Sequence, residues 1–239
     1  MSETHPTKPY ITYYPDFEQG TEEWLAARCG LLTASEIKLI ITPTLKMASN
    51  DKERAHLYEL LAQRITRYVE PRYISSDMLR GHEDEVDARI LYAKHYAPLQ
   101  EMGFITNNKW GFTLGFSPDG LIGEEGFIEV KSRLQKYQIE TLIDNVCGQT
   151  IPADYLIQQQ TGHLVSERGW CDFISYSGGL PMAVIRCYPD PKVQNAIVEA
   201  AGEFEKRLLH KWETFKNVVN SDKYMLLSTK RKVVQEMYV

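Results

Sequence analysis

The chain has 239 residues, 43% hydrophobic and 25% charged, an ordinary globular composition that can bury a sizeable core and that excludes a disordered or fibrous protein. No apolar run approaches a membrane span, and the opening Met-Ser-Glu-Thr-His-Pro lacks the basic-then-apolar order of a signal peptide, so a cytoplasmic protein without disulfides is expected. A net charge of −5 gives by itself no reason to expect nucleic-acid binding, since phosphate affinity usually shows as a basic excess.

Residues 1–20, with Pro6, Pro9 and Pro15 and few periodic apolar positions, read as an extended arm. Thr21, followed by Glu-Glu-Trp-Leu-Ala-Ala-Arg and then Gly30, reads as a short helix with acids in its first turn and glycine past its end. Thr33-Ala-Ser-Glu36 has the form of a capping box and predicts a second helix starting there. Leu57, Leu60, Leu61, Ile65, Tyr68 and Val69 recur at helical spacing. Ser75 or Ser76 opens a further helix to about Ala97, carrying Met78, Leu79, Glu85, Val86, Ile90 and Leu91. The pattern then changes. Segments 103–106, 110–116, 119–122 and 126–131 are short, rich in Phe, Ile, Thr, Val and Trp and punctuated by Gly, which predicts a meander of strands with a hairpin loop at Gly123-Glu-Glu-Gly126. Helical spacing returns in 153–168, strands follow at 170–176 and 182–188, and a helix at 191–219 carries Val193, Ile197, Ala200, Phe204, Leu208, Trp212 and Phe215 along one side. In the tail, 220–239, the basic run Lys230-Arg-Lys232 is the one distinct feature. With no repeats or linkers, 1–239 reads as one domain with an arm and a tail, and the order of elements from residue 76 suits an α/β sandwich with a mixed sheet.

The four cysteines, Cys29, Cys147, Cys171 and Cys187, form no CxxC pair, which argues against a zinc or iron–sulfur site. In Phe127-Ile-Glu-Val-Lys131 alternation puts Glu129 and Lys131 on the same face. If 123–126 closes a hairpin, symmetric pairing sets residue 119 almost opposite residue 130 and brings the Asp119 carboxylate beside Glu129. Adjacent carboxylates repel unless a cation joins them, and hard oxygen ligands suit Mg²⁺ or Mn²⁺. Alternation alone equally fits an ordinary ion pair on a solvated sheet face; Ser-Pro-Asp-Gly ten residues before Glu-x-Lys tips the balance towards a metal site.

Trp24 with Arg28-x-Gly30, Thr33-Ala-Ser-Glu36, Gly81-x-x-x-Glu85-x-Asp87-Ala-Arg89, Ser117-Pro-Asp-Gly-Leu121, Glu129-x-Lys131 and Tyr155-x-x-Gln158-x-Gln160 occur in this order over about residues 20 to 165. In these motifs the chain resembles the phage lambda exonuclease family, the YqaJ-like viral recombinases, within the PD-(D/E)xK nucleases. The resemblance implies an α/β fold with a restriction-endonuclease-like core, a mixed central β-sheet flanked by helices. It implies Mg²⁺, for which Mn²⁺ can substitute, with two ions per site: Asp119, Glu129 and the Val130 carbonyl on one, Glu85 on the other or bound to it through water. Lys131 would position or deprotonate the attacking water, and Gln158 would orient the nucleophile or its helix. Arg28, Ser35 and Ser117 resemble a pocket for a terminal 5′ phosphate, and Met78 matches an apolar wedge at the duplex end. Each has a plainer reading: Glu85 as an i,i+4 partner of Arg89, Arg28 as a cap of its own helix, Gln158 as a buried amide, Met78 as core. For Ser35 the expected helix at Thr33 adds unpaired N–H groups and a dipole that favour an anion.

The activity implied is 5′→3′ degradation of one strand of linear duplex DNA to 5′-mononucleotides, leaving 3′ single strands for a single-strand annealing protein. A homotrimeric ring around the DNA and a phage or prophage origin in a bacterial host follow from the same resemblance. An endonuclease of restriction or resolvase type on the same fold is the nearest alternative, and a non-catalytic DNA-binding scaffold the more distant one. A serine hydrolase is set aside because Gly115-Phe-Ser-Pro-Asp-Gly120 lacks G-x-S-x-G spacing, and no motif supports Cys171 with His163 as a dyad. Residues 132–152 and the tail beyond 220 match nothing in the family.

Overall fold

The computed structural model describes residues 8–71 and 76–231, with backbone alone for 76–78. In chain order the elements are β1 (Ile11–Tyr14), α1 (Glu22–Arg28), β2 (Leu32–Thr33), α2 (Asp51–Thr66), α3 (Ser76–His95), β3 (Phe104–Asn107), β4 (Leu114–Phe116), β5 (Gly120–Ile122), β6 (Gly126–Ser132), α4 (Gln135–Glu140), α5 (Ala153–Ser166), β7 (Trp170–Tyr176), β8 (Ala183–Cys187) and α6 (Pro191–Val219). Helix starts follow from local chemistry. The Thr21 hydroxyl accepts from the Trp24 N–H, Asn50 accepts from Glu53 N at 3.0 Å, and Asp190 accepts from Lys192 and Val193 ahead of a proline that begins α6.

The class is the expected one, mixed α/β with helices flanking mixed sheets, but the strands divide into two four-stranded ladders. One has the order β1-β3-β4-β2, with β2 and β4 parallel; the other has β5-β6-β7-β8, with β6 and β7 parallel. The meander therefore breaks between β4 and β5, where the chain crosses from one ladder to the other through Ser117-Pro118-Asp119. Both ladders feed one apolar cluster with α2, α5 and α6, joining Ile105, Leu114 and Phe116 to Leu121, Phe127 and Cys171 and to Val165, Ile197, Phe204 and Leu208.

Several local expectations change. The arm contains β1, whose residues pair antiparallel with β3. Thr33 opens no α-helix: Leu32 and Thr33 are drawn into parallel pairing with Leu114 and Gly115, and only a short 3-10 turn, Ile37–Leu39, follows. The capping-box pair survives side chain to side chain, Thr33 donating to Glu36 Oε2 at 2.9 Å. Helix α2 stops at Thr66, because Arg67 turns left-handed (φ 54°), so Tyr68 and Val69 lie outside it. Residues 132–152, without a pattern in sequence, hold α4 and a π turn, Thr141–Asn145, anchored by the buried Gln138 amide on the carbonyls of Ser175 and Pro181. The apolar stripe of α6 is buried from Val193 to Leu208, Trp212 packs partly, and Phe215 is exposed. Arg231 lies over the Tyr68 ring at 3.5 Å; Lys232 is outside the described residues.

Helix α5 is the member that spans both ladders, and Gly162 permits its close approach. A Cβ there would lie 2.9 Å from the Phe116 ring of β4 and 3.1 Å from the Phe127 ring of β6. Gly162→Ala is expected to cost about 1–3 kcal/mol through overpacking, readable as a lower urea midpoint with an unchanged slope. One residue later, the His163 ring packs edge-on against Phe127 at 4.9 Å. Its Nε2 lies 2.7 Å from the Gln159 amide nitrogen, which can only donate, so Nδ1–H donates to the Arg168 carbonyl. Burial lowers the His163 pKa to about 4. An unfolded chain takes up this proton below about pH 6.5 whereas the folded chain refuses it until about pH 4, so stability falls as pH falls through that window, by about 3 kcal/mol in all. The same descent should be shallower in His163→Gln by that amount in urea titrations.

Candidate active site

The hairpin of β5 and β6 pairs Gly120 with Ile128 and Leu121 with Phe127, one residue from the expected register, and its open end delivers Asp119 to β6. Asp119 Oδ2 accepts from the Val130 N–H at 2.5 Å. Glu129, 2% exposed, shares the inward face with Lys131, as alternation requires. Its Oε1 receives both the Lys131 ammonium at 2.6 Å and the Gln158 amide of α5 at 2.5 Å. Its Oε2 is buried and has no hydrogen-bond partner among the described residues.

The three carboxyls feel one another. Burial first, then Glu129 and Glu85, push the Asp119 pKa well above the usual carboxylate range. Burial also raises that of Glu85 on α3, where Glu129 adds to the rise and Arg89 opposes it. Arg89 pairs with Glu101 at 2.9 Å and acts on Glu85 through its charge. Burial works against the Lys131 ammonium, but Glu129 and Asp119 outweigh it and hold its pKa above the usual lysine value. As the site stands, Lys131 is a fixed cation and donor, which suits positioning better than proton abstraction.

No three acidic, histidine or cysteine side chains are gathered into a ready-made metal cage among the described residues. The reason is visible: Asp119 has turned to a backbone N–H, and Glu129 to Lys131 and Gln158. A divalent cation nevertheless fits this donor set. The partnerless Glu129 Oε2 leaves a buried carboxylate oxygen costly and unsatisfied, and the mutual repulsion of three carboxyls is what an oxygen-seeking cation relieves.

Two residues upstream of Asp119 a second cluster begins. The Trp24 indole N–H donates to Ser117 Oγ at 3.0 Å, and the Arg28 guanidinium lies over the same indole at 4.1 Å. Arg28 Nη2 donates to Thr33 Oγ1 at 3.2 Å, and Thr33 lies 3.4 Å from Ser35 Oγ. Arg28, Ser35 and Ser117 thus belong to one assembly, joined through Trp24 and Thr33, which sequence reasoning placed in the motifs but not in the pocket. A tryptophan four residues before an arginine on one helix face was the available signal. Ser35 follows a strand end, so the helix-dipole argument for it does not hold. The Met78 side chain lies outside the described residues, and with it the wedge assignment.

Residues 23–168, a span that contains every member of both clusters, match the YqaJ-like viral recombinase domain. The chain belongs to this family. Among solved structures, the alkaline exonuclease LHK-Exo from Laribacter hongkongensis is 31% identical, with a TM-score of 0.72 over 83% of this chain and 98% of that one. LHK-Exo in complex with dAMP gives 30% and 0.68 over the same shares. A phage-related exonuclease from Haemophilus somnus 129PT, 12% identical with a TM-score of 0.52 over 76% and 96%, shares the fold. A comparison with curated proteins finds no match.

In this YqaJ-like chain the segment 132–152 builds one wall of a cleft of about 670 Å³ beside Lys131, with Arg80, Ser132, Arg133, Tyr137 and Tyr155 among its lining. Arg133 bonds the Tyr155 hydroxyl at 2.8 Å and lies 5.2 Å from the rings of both Tyr137 and Tyr155. The Lys131 ammonium sits 5.5 Å from the ring of Tyr155, one of the residues that line the cleft.

Proposed function

We propose that the chain is a metal-dependent exonuclease that degrades one strand of linear duplex DNA in the 5′→3′ direction to 5′-mononucleotides. One observation carries the reading: Ser117 and Asp119 lie two residues apart on the crossing between the ladders, so the chain links a cluster suited to a terminal phosphate to the carboxylate–lysine cluster with one residue between them. The identity to a protein described as an alkaline exonuclease supports it.

Arg28 offers a planar donor fork, and Ser117, whose oxygen is already occupied by Trp24 as acceptor, keeps its own proton to donate to an anion. Asp119, Glu129 and the Val130 carbonyl would hold one Mg²⁺ and Glu85 a second, with Mn²⁺ as a substitute. Such ions polarise the scissile phosphate and make bound water acidic enough to attack. Lys131, held against Glu129, donates towards the charge that develops on the phosphate, and Gln158 fixes the Glu129 carboxylate in one rotamer. The 3′ strand left behind would serve a single-strand annealing protein in a bacterial cytoplasm, from a phage or prophage gene.

End-labelled linear duplex incubated with Mg²⁺ tests the reading. Mononucleotides released from 5′-phosphorylated ends, slower release from 5′-hydroxyl ends, and none from closed circles or with chelator are expected. Cutting of closed circles would instead favour the endonuclease. An acidic chain holds DNA weakly by counterion release, so persistence on the strand calls for enclosure in a ring of three copies joined head to tail. Light scattering at micromolar concentration should give three times the chain mass; a mass of one or two chains would remove the ring.

A further inference from the structure

Helix α3 carries Glu85 but is thinly held. Among its described side chains Ala88 and Tyr92 are the buried ones, in a small cluster with Ile128, Val130 and Ile174, while Leu79, Val86 and Ile90 are exposed. Such a contact, one methyl and one ring on a flat sheet, resists lifting of the helix better than it resists sliding or rolling. Polar bonds supply the missing direction. The Tyr92 hydroxyl donates to Asp172 Oδ2 at 2.5 Å, and Asp172, 2% exposed on β7, is also gripped by Arg186 at 2.8 and 2.9 Å. Arg186 in turn lies over the Trp170 ring at 3.9 Å, so the acceptor is held from a second side. About two turns towards the N-terminus, near the middle of the helix, Ser132, next to Lys131, donates to Asp84, next to Glu85. Glu85 and Tyr92 are seven residues apart, two turns along one face, about 10 Å at the helical rise.

We propose that Tyr92 is a positioning residue for Glu85: its bond to the Asp172–Arg186 pair fixes the axial setting and roll of α3 and thereby the distance from Glu85 to Asp119 and Glu129. The inference rests on the metal-dependent reading above, with Glu85 as a cation ligand. A purely structural anchor would have no reason to act through Glu85, and this distinguishes the two roles. Tyr92→Phe removes one oxygen and leaves Asp172 paired with Arg186, so the fold has no new orphaned charge.

The test measures Mn²⁺ binding alone, without DNA, by calorimetry on wild type, Tyr92→Phe, Glu85→Gln and the double variant, with melting temperatures in chelator alongside. Expected is a roughly tenfold weaker Mn²⁺ affinity in Tyr92→Phe, the scale of one hydrogen bond to a charged group, and no further weakening when Tyr92→Phe is added to Glu85→Gln. Ser132→Ala, which removes the bond to Asp84 beside Glu85, should act in the same direction. A lower melting temperature in Tyr92→Phe with an unchanged Mn²⁺ isotherm overturns the positioning role while leaving the metal reading intact. So does equal weakening in both backgrounds. An unaltered isotherm in Glu85→Gln removes Glu85 as a ligand, and the positioning role with it.

Discussion

Lys131→Ala is expected to lower the cleavage rate about 10²–10³-fold at saturating Mg²⁺, the usual scale for loss of one preorganised donor at a developing charge. The structure adds a second expectation. Glu129 is buried with Lys131 and Gln158 on one oxygen and, among the described residues, no partner on the other, so removing the ammonium leaves the carboxylate with the Gln158 amide. Breaking a buried pair from one side costs up to about 3–5 kcal/mol. Lys131→Ala should therefore melt well below wild type in chelator and recover much of the difference on adding Mn²⁺, because the cation takes over the charge the ammonium supplied. Asp119→Ala should lose activity without that recovery, since it removes a ligand rather than a competitor. Activity near wild type in either variant, or a chelator melting point of Lys131→Ala equal to wild type, would show that the pair does not carry the chemistry assigned to it.

What the sequence made legible was whatever depends on local periodicity or on motif order. Helix α6 runs over the residues its spacing marked, and Glu129 with Lys131 face one way because a strand alternates. What it hid depended on partners distant in the chain. Thr33 joined a strand because Leu114 and Gly115 were there to pair with it, a tertiary claim that overrode a well-formed capping box. The split into two ladders turned on Ser117-Pro118-Asp119, a short join between two expected strands of one meander that acts as a crossing. Residues 132–152 gave no pattern because α4 is short and passes into a π turn, whose spacing matches neither helical nor strand period. The partners of Trp24 and Tyr92 were hidden for the same reason: each bonds a residue about eighty or more positions away, Ser117 and Asp172.

Arg28→Ala should remove most of the preference for 5′-phosphorylated over 5′-hydroxyl ends, by roughly tenfold to a hundredfold, the value of one charged hydrogen bond. The geometry says which substitutions should imitate it. Because the guanidinium lies over the Trp24 indole and bonds Thr33, its plane is set by those two side chains. Arg28→Lys keeps the charge but loses the stacking plane and the fork, so it should recover little of the preference. Trp24→Phe keeps an aromatic platform but drops the N–H on Ser117, and a loss of preference there would come through the serine. The comparison must be made on initial rates from the two kinds of end, since cleavage of the hydroxyl end reports the chemistry of Asp119, Glu129 and Lys131 without the terminal phosphate. If Arg28→Ala still discriminates the two ends as the parent does, the cluster of Arg28, Ser35 and Ser117 serves only to tie α1 to β2 and β4. A drop in both rates by the same factor would point instead to lost packing around Trp24, and a melting-temperature measurement on the same variant would show it.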